Sequence, residues 1–168
     1  MRIILLYILF LPFIGFSQIQ YSAMIDITYL GEIEIYDNPG GSVVKKMRND
    51  SINEDFLYLN ILQQTPTHFY VFISYSVQKD SITGWIKKEN YIGAYIKNDK
   101  YPMDLILYNR CINSEKTKVV YSDWTPAFLT IDKYHNGWLY VTNTQNGKKI
   151  KGWIQTEGLC ANPYSTCS

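Results

Sequence analysis

The chain is poor in the residues that do chemistry. Of its 168 residues only two are histidine, His68 and His135, and three are cysteine, Cys111, Cys160 and Cys167. A protein metal site usually draws three or four convergent ligands. These five residues show no ligand-like spacing, so no metal or cofactor is expected. A Cys–His nucleophile would need Cys111 beside His135, and that pair lacks an orienting third group. Charge of one sign is missing too. The 16 Lys and Arg balance 15 Asp and Glu, and no long basic run occurs, so nothing supports binding to nucleic acid. Beyond the N-terminus there is no long apolar run, and no membrane span is expected there. Alanine is scarce, whereas aromatic residues reach 15% and include 15 tyrosines. Such a composition favours strands over helices.

What is present begins with an export signature. Met1-Arg2 gives one positive charge, and Ile3 to Phe16 is almost continuously apolar. Gly15-Phe16-Ser17 then places small residues three and one positions before a cut ahead of Gln18. Charged start, short apolar core and small-residue site make residues 1–17 a secretory signal peptide. The alternative is a retained N-terminal anchor, against which the stretch falls short of the roughly 20 residues that span a bilayer. The first cysteine is Cys111, so none stands at the cut to accept a lipid. The mature protein is expected in the periplasm or outside the cell. Oxidising conditions there favour a disulfide between Cys160 and Cys167. It would close an eight-residue loop worth roughly 2.5 kcal/mol; the alternative is two free thiols on a frayed tail.

The chain also repeats itself. Gly-Trp occurs at Gly84-Trp85, Gly137-Trp138 and Gly152-Trp153. With 10 Gly and 4 Trp, chance gives about 0.24 occurrences, so an internal repeat is the better explanation. Two copies extend to Gly-Trp-Ile, at Ile86 and Ile154. A matching strand precedes each, Ile33–Tyr36 in the first and Leu105–Tyr108 in the second. Val43-Val44 is matched with Val119-Val120, and Tyr70–Ile73 with Trp138–Val141. Other short strands are expected at Val43–Met47, Phe56–Leu62, Phe69–Tyr75 and Gly84–Lys87. In the second copy they fall at Val119–Tyr121, Ala127–Asp132, Trp138–Asn143 and Gly152–Gln155. Asn136-Gly137 and Asn146-Gly147 are tight hairpin signals. Short strands at this spacing predict small barrels or sandwiches. Units of about 65 residues build small cores, so the copies are expected to pack on each other.

Each copy resembles a bacterial SH3-type domain. The second follows that pattern closely, with Leu105–Tyr108, Val119-Val120, Phe128–Ile131, Gly137-Trp138-Leu139-Tyr140-Val141, Gly147, Gly152-Trp153-Ile154 and Leu159. The first departs from it, having His68-Phe69-Tyr70 where the pattern has Gly-Trp. The resemblance implies an all-β fold of two tandem SH3-like small β-barrels, residues 19–97 and 102–168, after the signal peptide. The tail Leu159 to Cys167 is similar to that of envelope proteins of Bacteroidetes type.

Candidate binding residues are aromatic. Tyr36, Tyr108, Trp124, Trp138 and Tyr140 are placed to line grooves for an extended ligand. Against this, Trp85, Trp153 and Trp138 read as fillers of small cores, because aromatic rings dominate core burial. Trp124 follows Asp123 beside Pro126, between strands, where access to solvent is expected. Lys45-Lys46-Met47-Arg48 and Lys148-Lys149-Ile150-Lys151 read as solvated edges. The expected function is a non-catalytic binding module whose partner is a cell-wall fragment or an envelope protein. The alternative is a protein–protein module, such as a toxin-neutralising or assembly protein.

Overall fold

The structure is a computed structural model that describes residues 21–97 and 103–161. The export segment 1–17 and Cys167 lie outside the described residues. Thirteen strands account for most of the rest. They are β1 Ala23–Ile25, β2 Ile33–Tyr36, β3 Val43–Met47, β4 Leu57–Gln64, β5 His68–Tyr75, β6 Ser81–Lys87 and β7 Ile92–Ile96. The second half continues with β8 Met103–Tyr108, β9 Lys118–Trp124, β10 Leu129–His135, β11 Trp138–Gln145, β12 Lys148–Gln155 and β13 Leu159–Cys160. One 3₁₀ turn, Thr156–Gly158, stands before the last strand. The fold is all-β, as the composition implied.

The strands make one open antiparallel sheet in the order β3-β2-β6-β5-β4-β1-β7-β10-β11-β12-β8-β9, with β13 on β7. Its two ends, β3 and β9, do not meet. Read outward from the middle, the order is the same in each direction: β4-β5-β6-β2-β3 one way and β10-β11-β12-β8-β9 the other. The match extends to register. Tyr36 pairs with Trp85 and Tyr70 with the same Trp85. In the second half Tyr108 pairs with Trp153, as does Tyr140. Both third strands carry a β-bulge at the same place, between Ile61 and Gln63 and between Ile131 and Lys133.

This register corrects two of the sequence matches. Tyr70 is the counterpart of Tyr140, not of Trp138, and His68 is the counterpart of Trp138. The slip of two residues arises in the hairpins. β11 and β12 join through the two-residue turn Asn146-Gly147, at φ 51 and 75°. β5 and β6 need a longer loop, since Ser74 pairs with Ser81. The valines slip as well. Ile33 pairs with Met47 as Leu105 pairs with Tyr121, which makes Lys45-Lys46, not Val43-Val44, the counterparts of Val119-Val120. Val43 and Val44 are exposed on the end strand β3.

Gly-Trp-Ile now has a physical meaning. A Cβ on Gly84 would stand 2.4 Å from Ile35 Cγ2, and one on Gly152 would stand 2.7 Å from Leu107 Cβ. The glycine lets β2 or β8 lie against the strand. The Ile, at 86 or 154, is buried in the core. The intervening Trp therefore points to the opposite face, because successive strand side chains alternate.

The halves do not stand apart. β7 follows the first half in sequence yet pairs with β1 on one side and β10 on the other, and β13 pairs with it too. One hydrophobic cluster runs through both halves, from Ile33 and Phe69 to Leu139 and Leu159. Gln64 at the end of β4 reaches across, donating from Nε2 to Tyr134 O at 2.5 Å while its Oε1 accepts from Tyr134 N at 3.1 Å. The Lys45-Lys46 stretch lies on the end strand β3, as an edge should. Lys148–Lys151 pairs with β11 on one side only, since β8 meets β12 at Trp153 and ends there with Tyr108; its lysines are exposed and Ile150 faces in. Among the described residues no helix is long and apolar enough to cross a membrane.

Candidate functional site

The feature present in both halves, and not needed to fill the core, is a cross-strand aromatic row on the outer face. In the first half it runs Tyr36–Trp85–Tyr70, directly opposite one another on β2, β6 and β5. In the second it runs Tyr108–Trp153–Tyr140 on β8, β12 and β11. Tyr70 and Trp85 have ring centroids 5.0 Å apart; Tyr140 and Trp153 are 5.3 Å apart. Both tryptophans and both of these tyrosines are half-buried. Rings held side by side with one face open offer flat, rigid, amphipathic contact area.

A fourth ring closes one end of each row, at Tyr36 in the first and Tyr108 in the second. His68 meets Tyr36 edge-on, centroids 5.8 Å apart at 86°. Trp138 meets Tyr108 in the same manner, 5.6 Å at 89°. The surroundings differ in charge. Tyr36 donates to Glu34 Oε2 at 2.5 Å, and the Lys87 ammonium lies 5.4 Å from its ring centre. Together these cover Tyr36, leaving it 7% exposed. The hydrogen bond from Tyr36 holds the half-buried Glu34 carboxyl below its usual range, helped by Lys46. Tyr108 donates instead to Asn113 Oδ1 at 2.9 Å, within the long β8–β9 loop, and stays half-buried. Lys133 lies 5.5 Å from the Tyr140 ring centre. Row two is therefore the more open, and its long loop stands at its Tyr108 end.

Of the residues expected to bind, Tyr108, Trp138 and Tyr140 come together in row two. Tyr36 takes the matching place in row one. Trp124 does not join them. It ends β9, pairs with Met103 and is 1% exposed. Tyr108 is at the far end of β8, five residues from Met103 and so about 17 Å away. The expectation of solvent access beside Pro126 is overturned, because β9 continues through Trp124 and turns its ring into the core. Trp85 and Trp153, read as core fillers, are in the outer rows. The alternation buried Gly, outward Trp, buried Ile was the signal that could have shown this. Tyr70 was also missed as a row member, since it was matched to the wrong partner.

The cysteines and histidines are placed as follows. His68 is buried, with Nδ1 2.9 Å from Thr67 Oγ1, and its Nε2 has no partner. Burial, and then Lys87, lowers its pKa. His135 is exposed at the end of β10. Cys111 lies half-buried in the β8–β9 loop, and burial pushes its thiol up, whereas a nucleophilic thiol needs the opposite shift. Cys160 is buried on β13. No group of three or more His, Cys, Asp or Glu that could hold a metal occurs among the described residues. Compared with protein-family models, with curated proteins and with solved structures, the chain matches none.

Proposed function

We propose that this chain is a non-catalytic exported binding module, periplasmic or extracellular, and that its two aromatic rows recognise a cell-wall peptide, a glycan or another envelope component. Each half is read as one SH3-like unit that shares strands with its neighbour. The observation that carries the proposal is the Tyr–Trp–Tyr row, present twice on the outer face with the same pairing. Core packing accounts for the glycine and isoleucine of Gly-Trp-Ile but not for an outward tryptophan. Extended ligands are commonly held by aromatic-lined grooves, and buried contact with Trp and Tyr often dominates binding energy.

The test is retention of the purified protein on isolated peptidoglycan. Wild type is expected to be retained, and Trp153→Ala to weaken retention by roughly 30-fold, the effect of losing a contact worth about 2 kcal/mol. Trp85→Ala is expected to weaken it less, because row one is the more covered. Folded wild-type protein that fails to be retained rejects the wall ligand. The protein–protein alternative then stands, and co-purification from an envelope extract, lost in Trp153→Ala, would support it.

A further inference from the structure

The aromatic rows of the two halves match ring for ring, but the positions one step along the strands do not. In the first half Glu34 on β2 pairs with Lys46 on β3. The Lys46 ammonium lies 3.3 Å from Glu34 and 3.0 Å from Glu32. Beside them Lys87 pairs with His68 and reaches over the Tyr36 ring. Charges of both signs therefore border row one and largely satisfy each other.

In the second half the counterparts of Glu34 and Lys46 are Ile106 and Val120, directly opposite one another on β8 and β9. Leu105 and Leu107 on either side of Ile106 are buried, so Ile106 shares the outer face with Tyr108. Ile106 is 38% exposed and Val120 46%. The counterpart of Lys87 is the uncharged Gln155, which pairs with Trp138. Row two thus continues on one side into an aliphatic step open to solvent. Contiguous exposed apolar surface of this kind marks an interaction site.

The other side of row two is basic. Lys151 stands two residues before Trp153, with buried Gly152 between them, so both point outward. Lys149 extends the same line. Their partners on β11 are Thr142 and Thr144, and neither lysine forms an ion pair among the described residues. In the first half the counterparts of Lys151 and Thr142 are Thr83 and Phe72, which carry no charge. The rings of row two therefore lie between an aliphatic step and unpaired ammonium groups. Gln155, level with the step, and Lys151 are four residues apart on β12, about 13 Å. An extended peptide covers that span in the same four residues, with side chains one, three and five on one side. A neutral glycan has no group for either flank.

We infer that row two takes an extended peptide segment. Its aliphatic side chain sits on Ile106 and Val120, a flat side chain lies on Trp153, and an acidic side chain faces Lys151. The inference rests on reading the rows as a binding surface and adds the class of ligand. Ile106 and Val120 are then the residues that set specificity, since they replace the ion pair of row one.

The probes are acetyl-Leu-Ser-Tyr-Ser-Glu-amide and the same residues in reverse order, because either chain direction presents the three side chains. They are titrated into ¹⁵N-labelled full-length mature protein, and affinity is read from the backbone amides of β8 and β12. At least one order is expected to give saturable shifts. Serine in place of the leucine should weaken binding about tenfold, the effect of leaving one aliphatic side chain unburied. The double variant Ile106→Glu, Val120→Lys copies the Glu34–Lys46 pair and should lose as much. If it does not fold, Val120→Thr keeps a strand former and should lose about threefold. Glutamine in place of the glutamate should cost about threefold at low salt and nothing at about 1 M salt, where an exposed ion pair is screened. No shift with either order, equal affinity for the serine peptide, or unchanged affinity in the folded variant overturns the inference. So does an N-acetylglucosamine oligomer that binds more tightly than the peptide, which would make the row a glycan site. Affinity kept in Trp153→Ala overturns the row itself and this inference with it. Affinity lost in Trp153→Ala but kept in the double variant or in Val120→Thr overturns this inference alone.

Discussion

The two halves of this protein share a frame and differ in what surrounds it. Both keep the outer Tyr–Trp–Tyr row, the close-approach glycine, the buried isoleucine and the bulge in the third strand. They differ at the fourth ring, His68 against Trp138, in the hairpin after the fourth strand, and in the loop after the first. That division separates what specifies the sheet from what varies on it. A feature kept twice, with the same register and contacts, belongs to the frame. A feature present once, such as the Asn113-bearing loop or the exposed Ile106–Val120 pair, needs a local reason.

The largest test of the comparison asks whether the halves are separable. β7 supplies the neighbour of β10 and of β13, and its Ile92 and Ala94 are fully buried. The full chain is expected to melt in one cooperative transition by circular dichroism. A fragment of residues 98–168 lacks β7 and is expected to show no cooperative transition, whereas residues 90–168 should recover strand signal. A fragment 98–168 that melts cooperatively near the full-chain temperature would break the view of one shared sheet.

The next effect is confined to the first half. Its long β5–β6 loop is pinned by Asp55, which is 1% exposed. Asp55 accepts from Ser76 Oγ at 2.8 Å, Val77 N at 2.7 Å and Gln78 N at 3.2 Å. Burial pushes this carboxyl up, but the hydrogen bonds from Val77, Ser76 and Gln78 outweigh it and hold it below the usual aspartate range. Asp55→Ala is expected to cost about 3 kcal/mol in urea unfolding, from lost charge-assisted bonds and stranded donors. A loss below about 1 kcal/mol would show the loop to be held some other way. A depressed carboxyl stabilises above its unfolded value and ceases to as pH falls through the folded one. The Asp55 contribution therefore starts to decline below about pH 4 and is gone once pH passes below the folded value. The second half has no such dependence at its two-residue turn.

Equal effects are expected at the glycines. Gly84→Ala and Gly152→Ala each force a Cβ against a packed side chain, Ile35 or Leu107. Each should cost about 1–3 kcal/mol by overpacking. One substitution tolerated and the other not would mean that the two crossings are less alike than their registers.

Much of this frame was legible in the sequence, for reasons that can be named. β2 and β3 fall on the expected residues, because turn residues bound them and their apolar runs are short. Gly-Trp-Ile marked the repeat, since a close backbone approach tolerates only glycine. Three things were not legible. β1, β7 and β13 are short and lack a distinct pattern, and they became strands only because neighbouring strands needed partners. The equivalence of Tyr70 and Tyr140 was hidden by hairpins of different length. Trp124 was misplaced because the local signal, Asp before and Thr-Pro after, suggested a loop. Its burial depends on the long-range β8–β9 pairing. Of the candidate site, the second row was largely anticipated through Tyr108, Trp138 and Tyr140. Its central member, Trp153, was assigned to the core.

The smallest effect tests the most specific part of the comparison, the exchange of His68 for Trp138. The two rings make near-identical edge-on contacts with Tyr36 and Tyr108, yet only His68 can take up a proton. Its pKa in the fold is lowered from 6.5 by burial and by Lys87. Above that value the imidazole is neutral in both folded and unfolded chains, and it contributes no pH dependence. As pH falls below it, the unfolded chain binds the proton first, and stability declines until the folded value is reached. The melting temperature of wild type should therefore fall between pH 7 and pH 5, well above the range where Asp55 titrates. His68→Trp, which copies the second half, and His68→Phe should both flatten that slope. An unchanged slope in both variants would place the acid sensitivity elsewhere and leave the exchange a matter of ring shape alone.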